Sequence, residues 1–198
     1  EAAHDWLWFV DADEWISEKT GRVVNDLLRT RGNDFDAITI PFKSYLCGQW
    51  MQHCGWWPGY TGPRVLRRGH FRFSERVHGG VELRGREMIL PADPTIGVDH
   101  YSYHSLHHYL EKSNRYTDQE AVYLAEEGNA WDWEESVRAF VRELWRVYDR
   151  KKGCEDGALG WMLSWLSAQY QWLSRTKIYQ RDPTLPADVP ADRDRVPN

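Results

Sequence analysis

Asp5-Trp6-Leu7-Trp8-Phe9-Val10-Asp11-Ala12-Asp13-Glu14-Trp15 is a short apolar, mostly aromatic run that ends in acids. Trp6 to Val10 has the pattern of a strand buried on both faces of a mostly parallel sheet. Asp11, Asp13 and Glu14 would then emerge at the carboxyl edge of that sheet, where open α/β folds bind their ligands. Alternate acids at a strand end offer oxygens to a hard cation such as Mg2+ or Mn2+ and leave positions free for phosphate oxygens. The plainer alternative is a solvated strand-to-helix turn, with Ser17 capping the helix that follows.

Other motifs extend along most of the chain. They are Gly55-Trp56-Trp57-Pro58, Arg64-Val65-Leu66-Arg67-Arg68-Gly69, Arg76-Val77-His78, His100-Tyr101-Ser102-Tyr103, Tyr109-Leu110-Glu111-Lys112 with Asn114-Arg115-Tyr116, and Asp156-Gly157. With Asp11-Ala12-Asp13, their order and spacing resemble family 2 glycosyltransferases, in particular the lipopolysaccharide-core glucosyltransferase branch. The resemblance implies an α/β fold: the C-terminal part of a GT-A-like, Rossmann-like mixed sheet over residues 1–104, followed by a helical extension over 105–181. It also implies that the strands holding the base and ribose of a sugar nucleotide would precede Glu1, so that activity of this portion alone is not implied.

The chain has 198 residues and a formal charge of −5, which gives no electrostatic reason to expect nucleic acid as a partner. Charge is unevenly spread. Between Arg64 and Arg86 seven arginines face only Glu75 and Glu82, so this segment could meet an anionic ligand or form a solvated hairpin surface. Cys47, Cys54 and Cys154 form neither a CxxC pair nor an even disulfide framework and read as free thiols in a reducing compartment. No stretch reaches the ~18 uncharged apolar residues of a spanning helix. Twelve tryptophans and ten tyrosines are a heavy aromatic load, most of it expected in the core.

Ser17 to Thr30 reads as a helix with an apolar stripe of Val23, Val24, Leu27 and Leu28, and Gly32 follows its end. Asp36 to Lys43 alternates through Ile38, Ile40 and Phe42 as a strand, and Pro41 suggests an edge position. Tyr45 to Gly62 is an aromatic, glycine-rich loop suited to presenting flat faces and amides to a sugar and its diphosphate. Arg64 to Leu90 reads as two or three short strands, and Thr95 to Val98 as a last strand delivering Asp99 and His100. Three helices follow: Leu106 to Glu127 after a Ser105 cap, Glu134 to Lys151, and about Asp156 to Gln180. The last is too apolar for a free surface helix, and 156–180 is expected to pack on the core, to lie peripherally at a bilayer interface, or both. Residues 182–198 hold four prolines among polar residues and read as a disordered tail.

The resemblance assigns roles. Asp13 and His100 are the expected metal ligands for Mg2+ or Mn2+, with Asp11 nearer the ribose or a metal-bound water. Arg64 or Arg67 is suited by its guanidinium geometry to clamp phosphate oxygens, and Trp57 is expected at the donor. An inverting transfer also needs a base. Many relatives carry an acid directly after Trp-Tyr-Pro and another after Val-His, whereas this chain has Gly59 and Gly79, so Glu82 and His78 are the candidates. The implied activity moves a sugar from a nucleotide-sugar donor to a cell-envelope glycan or glycolipid acceptor, in the cytoplasm or at the inner face of the cell membrane. Two other classes stay open: an aromatic-rich carbohydrate-binding or assembly module without catalysis, and a zinc hydrolase built on His100, His104, His107 and His108.

Overall fold

Phe35, Ala37, Ile38 and Ile40 are almost completely buried, and the first of two sheets is assembled around them. The structure is a computed structural model that describes residues 4–73 and 80–180. His78, Glu75, Gly79 and the 182–198 segment named above lie outside the described residues.

The chain is α/β, with two mixed four-stranded sheets and four helices among the described residues. The first sheet has the order β1 (Trp6–Trp8), β6 (Val65–Arg67), β3 (Ala37–Thr39), β9 (Glu87–Ile89). β6 runs antiparallel to both its neighbours, and β3 and β9 are parallel. The second sheet has the order β2 (Glu14–Ile16), β10 (Val98–Tyr103), β4 (Phe42–Leu46), β5 (Gln49–Trp50). Within it β10 and β4 are parallel and the outer pairs antiparallel. A separate ribbon pairs β7 (Phe71–Phe73) with β8 (Val81–Leu83).

Several expectations need correction. β1 is an end strand, antiparallel and half-buried, because Trp6 and Trp8 have a hydrogen-bonded partner on one side only. The single strand expected over Asp36 to Lys43 is two. Pro41 cannot donate to a ladder, and there the chain leaves the interior of the first sheet as β3 and enters the second as β4. The described part of Arg64 to Leu90 holds four short strands, and the final strand begins only at Val98 and runs to Tyr103, so His100 sits inside β10 and not after it. Glu14 does not lie in a turn to a helix, because it opens β2.

The helix α1 (Glu18–Arg31) begins where Ser17 accepts a hydrogen bond from the Thr20 amide, as its sequence predicts. Thr20 Oγ1 in turn donates to the Gly97 carbonyl and accepts from the Gly97 amide, both at 3.1 Å, which ties α1 to the start of β10. Val24 from this helix joins Phe35, Ile38, Ile40, Phe42, Val65, Leu90 and Val98 in one core.

A second core lies under the helical region and combines Leu46, Met51, Cys54 and Tyr109 with Val147, Leu163 and Leu166. α2 (Leu106–Glu126), capped by Ser105, and α3 (Trp133–Trp145) both pack on α4 (Gly157–Tyr179). Besides Tyr109, Leu163, Leu166 and Ile178, the residues buried along these helices are small, among them Ser113, Thr117 and Ala121 on α2, Ser136 and Ala139 on α3, and Gly160, Ser164 and Ala168 on α4. Small side chains let the backbones approach, and a Cβ on Gly160 would lie 1.9 Å from the Gly153 carbonyl oxygen. Several large residues point outward. Val137, Val141 and Trp145 of α3 and Trp161, Trp165 and Trp172 of α4 are all exposed, although the helical period itself is as expected. No described helix is long and apolar enough to cross a membrane. Cys47, Cys54 and Cys154 are free thiols.

Candidate functional site

The acidic turn is closed by its own backbone. The Glu14 amide donates to the Asp11 carbonyl, and the Asp11 amide donates to Glu14 Oε2 at 3.0 Å. Phe9 then pairs with Arg64 through the backbone, and the Asp13 carbonyl accepts from the Tyr101 amide. These bonds bring the end of β1, the start of β6 and the middle of β10 together, so residues far apart in sequence meet here.

Two charge groups result. Arg64 Nη2 donates to Asp11 Oδ2 at 3.1 Å and to Glu14 Oε1 at 2.8 Å. The Glu14 side chain is only 1% exposed, and this burial pushes its carboxyl up, against the opposing pull of the Asp11 amide and Arg64. In the other group His100 Nε2 stands 3.6 Å from Asp13 Oδ2, and Lys112 Nζ is 3.8 Å from the same oxygen. Burial holds the His100 imidazole below its ordinary value; Asp13 acts against this, and Arg64 and Lys112 reinforce it. His100 is therefore neutral at pH 7, the form that ligates metals.

Phe42 joins the two groups from beneath. Its buried ring lies under the Arg64 guanidinium, 5.0 Å from Cζ, and meets the His100 ring edge-on at 5.6 Å. Ser102 Oγ lies 3.0 Å from His100 Nδ1 and 3.5 Å from the His100 carbonyl. A Ser102 hydroxyl donating to that carbonyl accepts from Nδ1–H, which leaves the Nε2 lone pair facing Asp13.

That geometry suits a divalent cation. Two atoms each about 2.1 Å from one ion stand roughly 3–4 Å apart, and the 3.6 Å between Nε2 and Oδ2 lies in this range, whereas it is too long for a hydrogen bond. Among the described residues no three His, Cys, Asp or Glu side chains form a closed cage. A two-ligand set fits Mg2+-like ions, which keep waters and take further oxygens from phosphates.

Of the residues singled out from sequence, Asp11, Asp13, Arg64 and His100 converge. Trp57 instead packs edge-on against Trp50 at 5.4 Å, beside the outermost strand of the second sheet. Glu82 is exposed on β8 opposite Arg72, and its ribbon is anchored near the acidic turn by Phe9 packing on Phe71 and Phe73. His104 and His108 stack on each other at the start of α2, and His53 is taken up by Asp156 and Glu155. Sequence reasoning missed Lys112 and the buried role of Glu14. The only signal for Lys112 was its place two turns after the Ser105 cap, in the Tyr109-Leu110-Glu111-Lys112 motif.

No protein-family model matches this chain, and neither the curated proteins nor the solved structures contain a match.

Proposed function

We propose that the chain is the metal-dependent catalytic portion of a glycosyltransferase that moves a sugar, with inversion, from a nucleotide-sugar donor to a cell-envelope or lipid-linked glycan. The observation that carries this reading is the Asp13–His100 pair at 3.6 Å, beside Arg64 and Lys112. A bound Mg2+ or Mn2+ would supply positive charge to the departing nucleoside diphosphate. Asp13 and His100 would hold the ion. Arg64 adds positive charge beside them while keeping Asp11 and Glu14 in place. Glu82 is the proposed base among the described residues, and His78 is the other candidate.

Calorimetric titration of UDP, with and without Mn2+, tests this. UDP binding that requires Mn2+, and Mn2+ binding tightened by UDP, is the expected result. Glycan binding indifferent to metal would instead favour the carbohydrate-binding reading. One observation points that way: Tyr45 and Tyr101 stack at 4.7 Å on the second sheet, on the face opposite His100.

The lipid-linked acceptor in this reading rests on the helical region. Trp161, Trp165 and Trp172 recur on one stripe of α4 and are exposed. Leu106, Leu110, Trp161, Met162 and Trp165 line a groove of about 520 Å³ between α2 and α4. Tryptophan is favoured at headgroup depth, so this face is proposed to lie against the inner surface of the cell membrane. Co-sedimentation with anionic vesicles should fall several-fold in a Trp161→Ser, Trp165→Ser double variant. Unchanged sedimentation would remove membrane contact from the reading.

A further inference from the structure

Lys112 belongs to the helical region by sequence but to the acidic site by position. Its ammonium donates to the Ser102 carbonyl at 3.3 Å, lies 5.4 Å from the centre of the Tyr103 ring, and stands 3.8 Å from Asp13 Oδ2. The side chain is 24% exposed, so its position is set by these neighbours and not by free solvent. An ammonium has three donors. Only the Ser102 carbonyl lies within hydrogen-bonding distance among these neighbours, because 3.8 Å exceeds that range.

We propose that Lys112 is a diphosphate-binding residue: it offsets Asp13 while no cation is bound and donates to a phosphate oxygen once Asp13 and His100 hold a divalent ion. The inference rests on the metal-site reading above and adds the group that takes the phosphate charge. Carbonyl and ring both hold the ammonium independently of Asp13, so it stays in place when a cation takes over that carboxylate. A cation at Asp13 repels Lys112, which favours metal binding only if an anion arrives as well. Lys112 therefore couples the two ligands, and through α2 it makes the helical region part of the site.

The geometry also explains why this role falls to a lysine. The ammonium comes from α2, whereas the Nη2 of Arg64 is already committed to Asp11 and Glu14. A compact point charge on a flexible stem can turn from one oxygen to another without leaving the Ser102 carbonyl, whereas a planar guanidinium fixes its donors as a fork.

The test uses this chain with Mn2+ alone and with inorganic pyrophosphate at saturating Mn2+. Lys112→Gln should weaken pyrophosphate binding by roughly tenfold to a hundredfold, the loss of one charge-assisted hydrogen bond. Mn2+ alone should bind as well as in the parent chain or better, since a repelling charge has gone. Lys112→Arg keeps the charge but fixes its donors as a fork, so it should recover only part of the pyrophosphate affinity. Equal weakening of Mn2+ and pyrophosphate in Lys112→Gln, or no change in pyrophosphate, would overturn the proposal while the metal site stands. Mn2+ binding that is absent or insensitive to Asp13 would remove the metal-site reading and this proposal together.

Discussion

Asp13→Ala is expected to abolish Mn2+-dependent UDP binding and to leave the fold intact. Asp13 supplies one of two protein ligands, and losing even a supporting residue of a metal site costs about 10–100-fold in affinity. Removing a ligand from so small a set should exceed that range. The fold should tolerate the change because the structural contribution of Asp13 is its carbonyl, which accepts from Tyr101 whatever the side chain. The carboxylate itself is partly exposed and has His100 and Lys112 as neighbours. Urea unfolding should therefore shift by less than about 1 kcal/mol, in keeping with a partly exposed ion pair. A large loss of stability would show that Asp13 is a structural acid.

Arg64→Ala should have the opposite profile, with a stability loss of about 3–5 kcal/mol, because it leaves the carboxylate of Glu14 buried without its cation. The guanidinium also covers the Phe42 ring, so packing is lost with the charge. The pH dependence has a definite sign. Burial raises the Glu14 carboxyl above its unfolded value, and removing Arg64, which acts to lower it, raises it further. The folded state then holds this proton more tightly than the unfolded chain does. Its contribution is fully present below the ordinary glutamate value and is lost as pH rises through the raised folded value. The variant should therefore be relatively more stable near pH 5 than near pH 8, and adding Glu14→Gln should recover part of the loss. Unfolding curves at the two pH values check this. A defect independent of pH and of Glu14→Gln would assign the effect to packing alone.

Much of the fold was legible because it depends on local chemistry. Ser17 and Ser105 cap α1 and α2 as their sequences predict, and the helical periods place α2 and α4 within a residue or so of their ends. What failed was non-local. Nothing in Trp6-Leu7-Trp8 says that hydrogen-bonding partners are present on one side only, and the alternation through Ile38, Ile40 and Phe42 hides a change of sheet at Pro41. Periodicity marks where the large apolar residues recur on a helix, and it does not say which of them a neighbouring element covers. In α3 the buried residues are Ser136 and Ala139, Phe140 packs edge-on against Trp165 of α4, and Val137, Val141 and Trp145 are exposed.

The candidate site divides in the same way. Asp11, Asp13, Arg64 and His100 could be named from motifs, and the turn and register bring them together. Glu14 looked like one more solvated acid, because its burial depends on β2 pairing with β10 across His100. Lys112 lies about a hundred residues from Asp13, and only the packing of α2 onto β10 reveals their proximity. Trp57 was chosen for its motif, but a ring can be satisfied by any neighbour, and here the neighbour is Trp50.

The most direct test of the central claim is pulsed EPR of Mn2+ bound to this chain in the presence of UDP. The account predicts a nitrogen coupling from His100 that disappears in His100→Ala, together with a phosphorus coupling from the diphosphate on the same ion. Phosphorus coupling without protein nitrogen, or a nitrogen signal that survives His100→Ala, would contradict the assignment of Asp13 and His100 as the metal site.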